Sequence, residues 1–302
     1  MKMLHGVTTA MVTPMTREEK VDLEAIRAEV EFLVARGVHC LYPCGTTGEM
    51  FLLAAEERMR VAEAVIGQAA GRVVVYIHVG AVSQQDTIRL ARHAAEIGAD
   101  GVGAVTPTFF SLDDRMLEAY YTRLANAVPE GFPVYLYNIP QCSANDLRAE
   151  TVARIAAQCP NVVGIKYSLP DMLRVNEYLR AHEGFSVQGY DRLFLASLAM
   201  GCMGVVSGIS NVYPEPYVKL YEAFERGDLP DARRWQRLCN VFCDILHGGA
   251  NMAYFKAGME FRGLRGGHMR APLLDLTGEE RECLLSALRE AEEALPAGTL
   301  IR

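Results

Sequence analysis

The 302-residue sequence lacks any segment that would direct it into or across a membrane. Its first residues, 1–6, contain no apolar stretch of the kind found in signal peptides, and no later apolar run is long enough to cross a bilayer. Basic clusters are also absent and the formal net charge is -7, which argues against nucleic acid or an anionic membrane as a partner. We therefore expect a globular, cytoplasmic protein.

Cysteine pairs with C-x-x-C spacing are absent, although the chain contains eight cysteines. Without an export signal, we expect these thiols to stay reduced. Cys239, Cys243 and His247 recur every fourth residue and could present soft metal ligands on one helix face. The same spacing is typical of the buried stripe of an amphipathic helix, which we favour, so we predict no metal site.

Lysine is rare, with five residues in the chain, and one of the five stands in an unusual place. Lys166 directly follows the apolar run 162–165. Burial disfavours an ammonium ion, so a lysine at the end of an apolar strand can present a free amine that attacks a carbonyl carbon. The alternative is that Lys166 marks where the strand emerges into solvent, and this segment alone does not decide between the two.

Short β-rich runs and amphipathic stretches alternate along the first two thirds of the chain. Eight runs predict strands: 6–12, 38–43, 73–79, 101–105, 133–137, 162–166, 186–188 and 203–207. The stretches between them predict helices, among them 23–36, 54–70, 83–97, 112–127 and 149–158. The runs recur roughly every 30 residues, the length of a βα unit. Eight such units predict a closed (β/α)8 TIM barrel, with a doubly wound open sheet as the alternative.

The pattern changes after Asn211, where strand signals stop and helical signals continue. Turn residues at 227–228, 248–249 and 265–267 separate the helices of this last part. We therefore predict two parts: a catalytic barrel over 1–212 and a C-terminal helical region over 213–302 that closes and extends it.

Polar residues concentrate where the predicted strands end, and TIM barrels collect their active sites at such ends. Gly45-Thr46-Thr47-Gly48-Glu49 follows the second strand and supplies hydroxyl and backbone donors that can converge on a carboxylate. Taken alone, the motif is equally well explained as a glycine-rich turn with Glu49 near the N-terminus of the next helix.

Tyr137 ends the fifth predicted strand. By alternation Tyr135 and Tyr137 share one face, and if that face is the barrel interior, Tyr137 is the one nearer the mouth. A phenol in that position can move protons during catalysis, whereas the alternative is a core tyrosine with a satisfied hydroxyl group.

Four motifs together resemble the N-acetylneuraminate lyase and dihydrodipicolinate synthase family of pyruvate-dependent class I aldolases. They are Gly-Thr-Thr-Gly-Glu at 45–49, Tyr-Asn-Ile-Pro at 137–140, Gly-Ile-Lys at 164–166 and Gly-Tyr-Asp at 189–191, in family order and at family spacing. The resemblance extends over nearly the whole chain, and the combination is specific although each motif alone is not.

The resemblance implies a mechanism and a set of site residues. Lys166 would form a Schiff base with C2 of pyruvate or a related 2-oxo acid, while Tyr137 moves the protons. Thr46 and Thr47 would hold the carboxylate, with the backbone at Val206 near the same group. The protonated imine would be the electron sink for making or breaking a C–C bond to an aldehyde, so no metal or other cofactor is expected. The resemblance also suggests a homotetramer.

Two positions depart from the synthases of the family. Many relatives have a tyrosine after Thr-Pro that completes a proton relay across a subunit interface, and Phe109 stands in its place here. The synthases that condense pyruvate with aspartate semialdehyde have an arginine at the position of Cys142. Lysine biosynthesis is therefore disfavoured, and the lyase branch is the closer match.

The region around Gly189 and Asp191, which we expect to contact the substrate, matches the lyase branch only in part. Sialic acid lyases follow this aspartate with glutamate and have a serine at the position of Gly208, whereas here Arg192 follows. A guanidinium group at this position would favour a substrate with an anionic tail over a substrate with a polyol tail. The alternative is a surface arginine that opens the next helix.

We therefore predict a Schiff-base lyase or aldolase that acts on a 2-oxo acid. One alternative is a 4-hydroxy-tetrahydrodipicolinate synthase with altered substrate contacts. The other is a barrel that binds 2-oxo acids as a sensor without turnover, which the replacement at Phe109 keeps open.

Overall fold

The computed structural model describes residues 2–181, 186–295 and 298–301, and its centre is a closed barrel of eight parallel strands. The strands are β1 (Gly6–Ala10), β2 (Cys40–Tyr42), β3 (Val74–His78), β4 (Gly101–Val105), β5 (Val134–Asn138), β6 (Val162–Tyr167), β7 (Ser186–Gln188) and β8 (Gly204–Ser207). They pair in chain order, and β8 closes the barrel on β1, where Thr9 lies opposite Ser207. The predicted TIM barrel is confirmed, and the open-sheet alternative is wrong.

Helices follow the strands, and the five that the sequence predicts begin and end within two residues of the predicted bounds. The helices are α1 (Leu23–Ala35), α2 (Ala55–Ala69), α3 (Gln84–Glu96), α4 (Asp114–Ala125), α5 (Pro140–Ser143), α6 (Ala149–Gln158), α7 (Met172–Ala181), α8 (Phe194–Ala199), α9 (Pro214–Glu225), α10 (Leu229–Ile245), α11 (Met252–Phe261) and α12 (Gly278–Glu293). Side-chain caps set several starts: Asp22 and Ser83 accept from backbone N–H groups in the first turns of α1 and α3.

Tyrosine rings fill much of the barrel interior. Tyr42, Tyr76 and Tyr135 are each at most 1% exposed and lie in one cluster with Val187 and Val206. The rings of Tyr76 and Tyr135 meet edge to face, with centroids 5.3 Å apart. Because the interior is packed with side chains, we expect substrate binding at the strand ends, as in other barrels of this fold.

Every described element after β8 is helical. α9 packs against both β1 and α10, and α11 packs against α12. The helix that covers the closing strand pair thus comes from 213–302, the predicted C-terminal helical region. None of the helices in the described part of the chain is long and apolar enough to span a bilayer.

A buried ion pair joins the C-terminal helices to the loop after β2. Lys256 Nζ on α11 lies 2.6 Å from Glu49 Oε1, and the two side chains are 2% and 1% exposed. The same ammonium group donates to the carbonyl oxygen of His268 at 2.6 Å. Burial lowers the pKa of Lys256, while the carboxylate of Glu49 opposes this shift. Each charge therefore depends on the other, since removal of one would leave its partner buried without a counter-charge.

We expect Lys256→Met to lower the free energy of unfolding by about 3 kcal/mol or more, the usual cost of leaving one member of a buried pair uncompensated. Arg89→Met is the matched control, because Arg89 pairs with Glu56 in an exposed bridge whose side chains are 50% and 66% exposed. That change is expected to cost less than about 1 kcal/mol. Urea unfolding followed by circular dichroism measures both, and equal losses would contradict this account of the buried pair.

Candidate active site

Lys166 lies near the end of β6 and is only 5% exposed. Its Nζ atom is 4.1 Å from the centroid of the Tyr137 ring and 5.2 Å from that of Tyr42. An ammonium group gains some stabilisation over an aromatic face, but far less than it loses on leaving water. Lys166 therefore does not mark the emergence of a strand into solvent, and its Nζ atom lies among aromatic side chains at the carboxyl end of the strand, where a bound carbonyl compound could reach it.

Tyr137 lies opposite Lys166 in the ladder between β5 and β6 and is 2% exposed. Its phenolic oxygen accepts a hydrogen bond from Ser168 Oγ at 3.4 Å. Ser168 was not predicted as a site residue, although its position two residues after Lys166 places it on the same face of the strand. The three side chains form one group of amine, phenol and hydroxyl.

Gly189, after β7, leaves the space that this group needs. A Cβ atom there would lie 1.9 Å from Ser168 Oγ and 3.1 Å from Lys166 Cε. Its backbone N–H donates to the carbonyl oxygen of Tyr167 at 2.7 Å, which fixes the strand end against β6. The position that the family motif gave as substrate-binding therefore keeps space open beside Lys166.

Thr46 and Thr47 lie in the loop after β2. Thr46 Oγ1 is buried and has no hydrogen-bond partner among the described residues. The loop is fixed by Thr13, whose hydroxyl donates to the carbonyl oxygen of Gly48 at 2.9 Å, and by the ion pair of Glu49. A buried hydroxyl group without a partner marks a place where a ligand oxygen can bind.

The end of β8 faces Thr47. Val206 is 2% exposed and points into the barrel cluster. At Gly208, a Cβ atom would lie 3.5 Å from Thr47 Oγ1 but only 2.8 Å from Cε2 of Phe255. A serine, which sialic acid lyases have here, would collide with the Phe255 ring unless that ring moved. Phe255 on α11 was not predicted as a site residue, because nothing in the sequence places it against Gly208.

Asp191 begins the short 3₁₀ turn that follows β7. Its carboxylate accepts a hydrogen bond from Ser207 and also interacts with the hydroxyl group of Tyr217 on α9. Burial raises the pKa of Asp191, and the bonds from Ser207 and Tyr217 oppose that shift. The Tyr217 hydroxyl also lies 3.5 Å from Cys243 Sγ. In this structure the carboxylate is therefore engaged by groups of the protein itself.

Arg192 forms an ion pair with α10. Its Nη2 atom lies 2.6 Å from Asp244 Oδ1, with the two side chains 36% and 70% exposed. Pairs with this exposure contribute little to stability and exchange readily with solvent. An anionic substrate group that approached Arg192 would therefore compete with Asp244 for the guanidinium.

Phe109 and Cys142 are the two positions at which the sequence differs from the synthases of the family. Phe109 has a left-handed backbone (φ 77°), is 83% exposed, and packs edge to face on Phe110 with ring centroids 5.1 Å apart. Cys142 is an exposed thiol on α5. It follows Gln141, whose side-chain amide donates to the carbonyl oxygen of Ser168 at 2.7 Å.

The cysteine–histidine stripe on α10 packs in the core. Cys239 and Cys243 are at most 1% exposed, whereas His247 lies in the short 3₁₀ turn that follows and stacks on Tyr254 with centroids 4.1 Å apart. Within the described ranges, no group of three or more histidine, cysteine or acidic side chains could hold a metal ion. All eight cysteines are free thiols.

Comparison with known proteins agrees with the geometry. The model of the dihydrodipicolinate synthetase family matches residues 3–291. An uncharacterized DapA-like lyase of Halobacterium salinarum is 38% identical, covering 95% of this chain and 94% of the relative, and an N-acetylneuraminate lyase of Rhizobium meliloti is 31% identical, covering 95% and 94%. The solved structure of dihydrodipicolinate synthase from Aquifex aeolicus is 32% identical and superimposes with a TM-score of 0.90, covering 96% and 98%. The chain therefore belongs to the dihydrodipicolinate synthetase family, as its four motifs predicted.

Proposed function

We propose that the protein is a class I lyase or aldolase that forms an imine between Lys166 and pyruvate or a related 2-oxo acid. The observation that supports this best is the burial of Lys166 directly opposite Tyr137, with Ser168 bonded to the phenol. An amine in these surroundings can add to the C2 carbonyl without first losing a strongly bound counter-ion. Membership of the family adds the expectation of lyase or aldolase chemistry.

The proposed reaction in the cleavage direction has three steps. Lys166 Nζ adds to C2, and the carbinolamine loses water to give a protonated imine, with Tyr137 passing the proton to the departing oxygen. The bond between C3 and C4 then breaks, its electron pair flows into the imine, and the C4 hydroxyl loses a proton as the aldehyde forms. A proton returns to C3, and water releases pyruvate and the free amine. Synthesis is the same sequence reversed.

The carboxylate of the 2-oxo acid would bind to Thr46 and Thr47, beside the backbone at Val206. The unpartnered, buried Thr46 Oγ1 supports this placement, as does the proximity of Thr47 to the end of β8. Donors arranged before the substrate arrives stabilise a fixed negative charge without having to reorganise. No metal or other cofactor enters this scheme.

Proton transfer at Tyr137 would differ from that in relatives with a tyrosine at the position of Phe109. A phenyl ring cannot pass a proton, and the phenolic oxygen of Tyr137 accepts its hydrogen bond from Ser168. The exposed Phe109–Phe110 pair supports an oligomer, because a monomer gains nothing from two apolar rings in solvent. The homotetramer and the cytoplasmic location stay predictions.

The two alternative functions stay open to the same experiments. A 4-hydroxy-tetrahydrodipicolinate synthase would consume aspartate semialdehyde in the presence of pyruvate, with Cys142 in place of the arginine that grips this substrate. A sensor would bind 2-oxo acids without turnover. The phenyl ring of Phe109, which stands where many relatives have the relay tyrosine, is the feature that supports the sensor.

Lys166→Ala is expected to abolish borohydride trapping of pyruvate, because the reduced imine requires the amine of Lys166. Intact-mass and peptide mass spectrometry measure the adduct. Tyr137→Phe is the informative companion, since it should still bind pyruvate but slow turnover by roughly 10²-fold, the usual effect of losing a positioned acid–base group.

Trapping at Lys219 or Lys256, or unchanged trapping in Lys166→Ala, would show that another amine reacts. Trapping at Lys166 without turnover of any 2-oxo-3-deoxy sugar acid or of aspartate semialdehyde would favour the sensor.

Arg192 is expected to select substrates with an acidic tail, once its ion pair with Asp244 opens. A charge-assisted bond to a carboxylate contributes about 1.5–3 kcal/mol, which is up to two decades in affinity. Displacing the exposed carboxylate of Asp244 offsets part of this gain, so we expect a net preference of roughly tenfold. Arg192→Glu should lower kcat/KM for a 2-oxo-3-deoxy sugar acid with a terminal carboxylate by about that factor. Asp244→Asn should raise it, and both should leave a neutral-tailed substrate little affected.

The substrate ranking decides the outcome for Arg192. If wild type cleaves N-acetylneuraminate efficiently, or if Arg192→Glu and Asp244→Asn leave the order of substrates unchanged, Arg192 is only a surface residue.

A further inference from the structure

Arg58 is a buried cation beside the ends of β2 and β3. It lies on α2 and is 3% exposed. Its guanidinium donates to three backbone carbonyl oxygens: that of His78 at 2.7 Å, that of Gly80 at 2.8 Å and that of Cys44 at 3.4 Å. The side chain thereby links the residue before the Gly45-Thr46-Thr47 loop to the strand end and loop that follow β3.

Among the residues that the structure describes, none supplies a carboxylate partner for the charge of Arg58. The titratable side chains near its guanidinium include those of His78, Cys44, Tyr120 and Tyr42, and its Nε atom is buried without a hydrogen bond to any described residue. Two other buried cations do have a carboxylate partner: Lys256 pairs with Glu49, and Arg262 pairs with Glu215 at 2.7 Å. An uncompensated buried charge is costly, and carbonyl oxygens offset only part of the lost hydration.

His78 lies between Arg58 and the site without adding charge. Its Nε2 accepts from the backbone N–H of Val105 at 3.1 Å, and its Nδ1 lies 3.1 Å from the carbonyl oxygen of Cys44, so the ring is neutral with the proton on Nδ1. Burial, and then the neighbouring Arg58 and Lys166 cations, hold the pKa of His78 well below its usual range. The ring meets that of Tyr137 edge-on, with centroids 6.0 Å apart.

We propose that Arg58 is a positioning residue of the 2-oxo acid site, whose buried positive charge is completed by the carboxylate of the bound substrate. The guanidinium holds the backbone that presents Thr46 and Thr47, and its field acts through a water-poor interior in which a charge is felt more strongly than in solvent. The free protein holds an uncompensated cation, and binding of an anion next to Thr46 supplies the missing charge. This inference rests on the proposed function and extends it, because it names Arg58 as the residue whose charge makes the site prefer a carboxylate over a neutral group.

The test separates charge recognition from structural support by means of two ligands of nearly equal size. Pyruvate carries the carboxylate, and methyl pyruvate replaces it with a neutral ester. Half-saturating concentrations for borohydride trapping are measured for both ligands in wild type, Arg58→Met and Arg58→Lys. Arg60→Met is the matched control, because Arg60 is an exposed residue of the same helix.

In Arg58→Met, the half-saturating concentration of pyruvate is expected to rise roughly tenfold or more, while that of methyl pyruvate changes less than about threefold. Arg58→Lys keeps the positive charge but loses the planar guanidinium group that donates to several carbonyl oxygens at once. The preference for pyruvate over methyl pyruvate should therefore stay within about threefold of wild type, while turnover falls because the loop that carries Thr46 and Thr47 is less well held. Arg60→Met should leave both ligands unaffected. Circular dichroism establishes that each variant is folded.

Equal losses for the two ligands in Arg58→Met would overturn the inference and leave Arg58 a structural clamp, with the proposed function intact. If Arg58→Met does not fold, Arg58→Lys decides: loss of the pyruvate preference there would overturn the role of the charge. If wild type traps neither ligand at Lys166, the proposed function itself is wrong and the inference falls with it.

Discussion

The candidate site depends on the closure of β8 against β1. Parallel strands that pair in chain order place all their carboxyl ends on one rim, so residues far apart in sequence become neighbours there. Thr47, after β2, meets Gly208, after β8, and Tyr137 meets Lys166 across a single ladder. The tyrosine-rich interior below this rim leaves the strand ends as the place where a small molecule can bind.

Three buried basic side chains lie near this rim, and each has different surroundings. Lys256 has a carboxylate at 2.6 Å, Arg58 has three carbonyl oxygens, and Lys166 has two aromatic faces. The carboxylate beside Lys256 balances its charge fully, the carbonyl oxygens beside Arg58 balance its charge in part, and the aromatic faces beside Lys166 offer the least compensation. The order matches the chemistry each could perform: a paired ammonium is a structural link, a guanidinium stays charged and attracts an anion, and an amine without a counter-ion is free to react.

Much of the fold was predictable because its signals are local. Strand and helix periods and helix caps are set by neighbouring residues, and the βα units repeat roughly every 30 residues. Alternation alone placed Tyr135 and Tyr137 on one face of their strand, and the structure shows that both are buried. The partners of the site residues were not predictable in this way. Arg192 pairs with Asp244, Asp191 with Ser207 and Tyr217, and Gly208 packs on Phe255. Each of these contacts joins segments whose distance in space depends on the complete fold.

Ser168 and Arg58 show two different reasons for a missed residue. Ser168 shares the face of Lys166 by simple alternation, so the signal was present, but a serine at a strand end is too common to stand out. Arg58 carries no such signal, because an arginine on an amphipathic helix normally faces solvent. Only its burial and the absence of a carboxylate beside it in the described chain distinguish it from Arg60.

The C-terminal helices belong to the framework of the site. Phe255 and Lys256 are consecutive residues of α11, and they reach two sides of the same loop: Phe255 fills the space beside Gly208 and Thr47, while Lys256 neutralises Glu49. A barrel limited to residues 1–212 would leave Glu49 buried or exposed without its counter-charge and would open the wall next to Thr47. Gly208 and Phe255 therefore depend on each other, because a Cβ atom at position 208 would lie only 2.8 Å from Cε2 of the Phe255 ring. The shape of this wall is set by a helix that follows the last strand by more than forty residues.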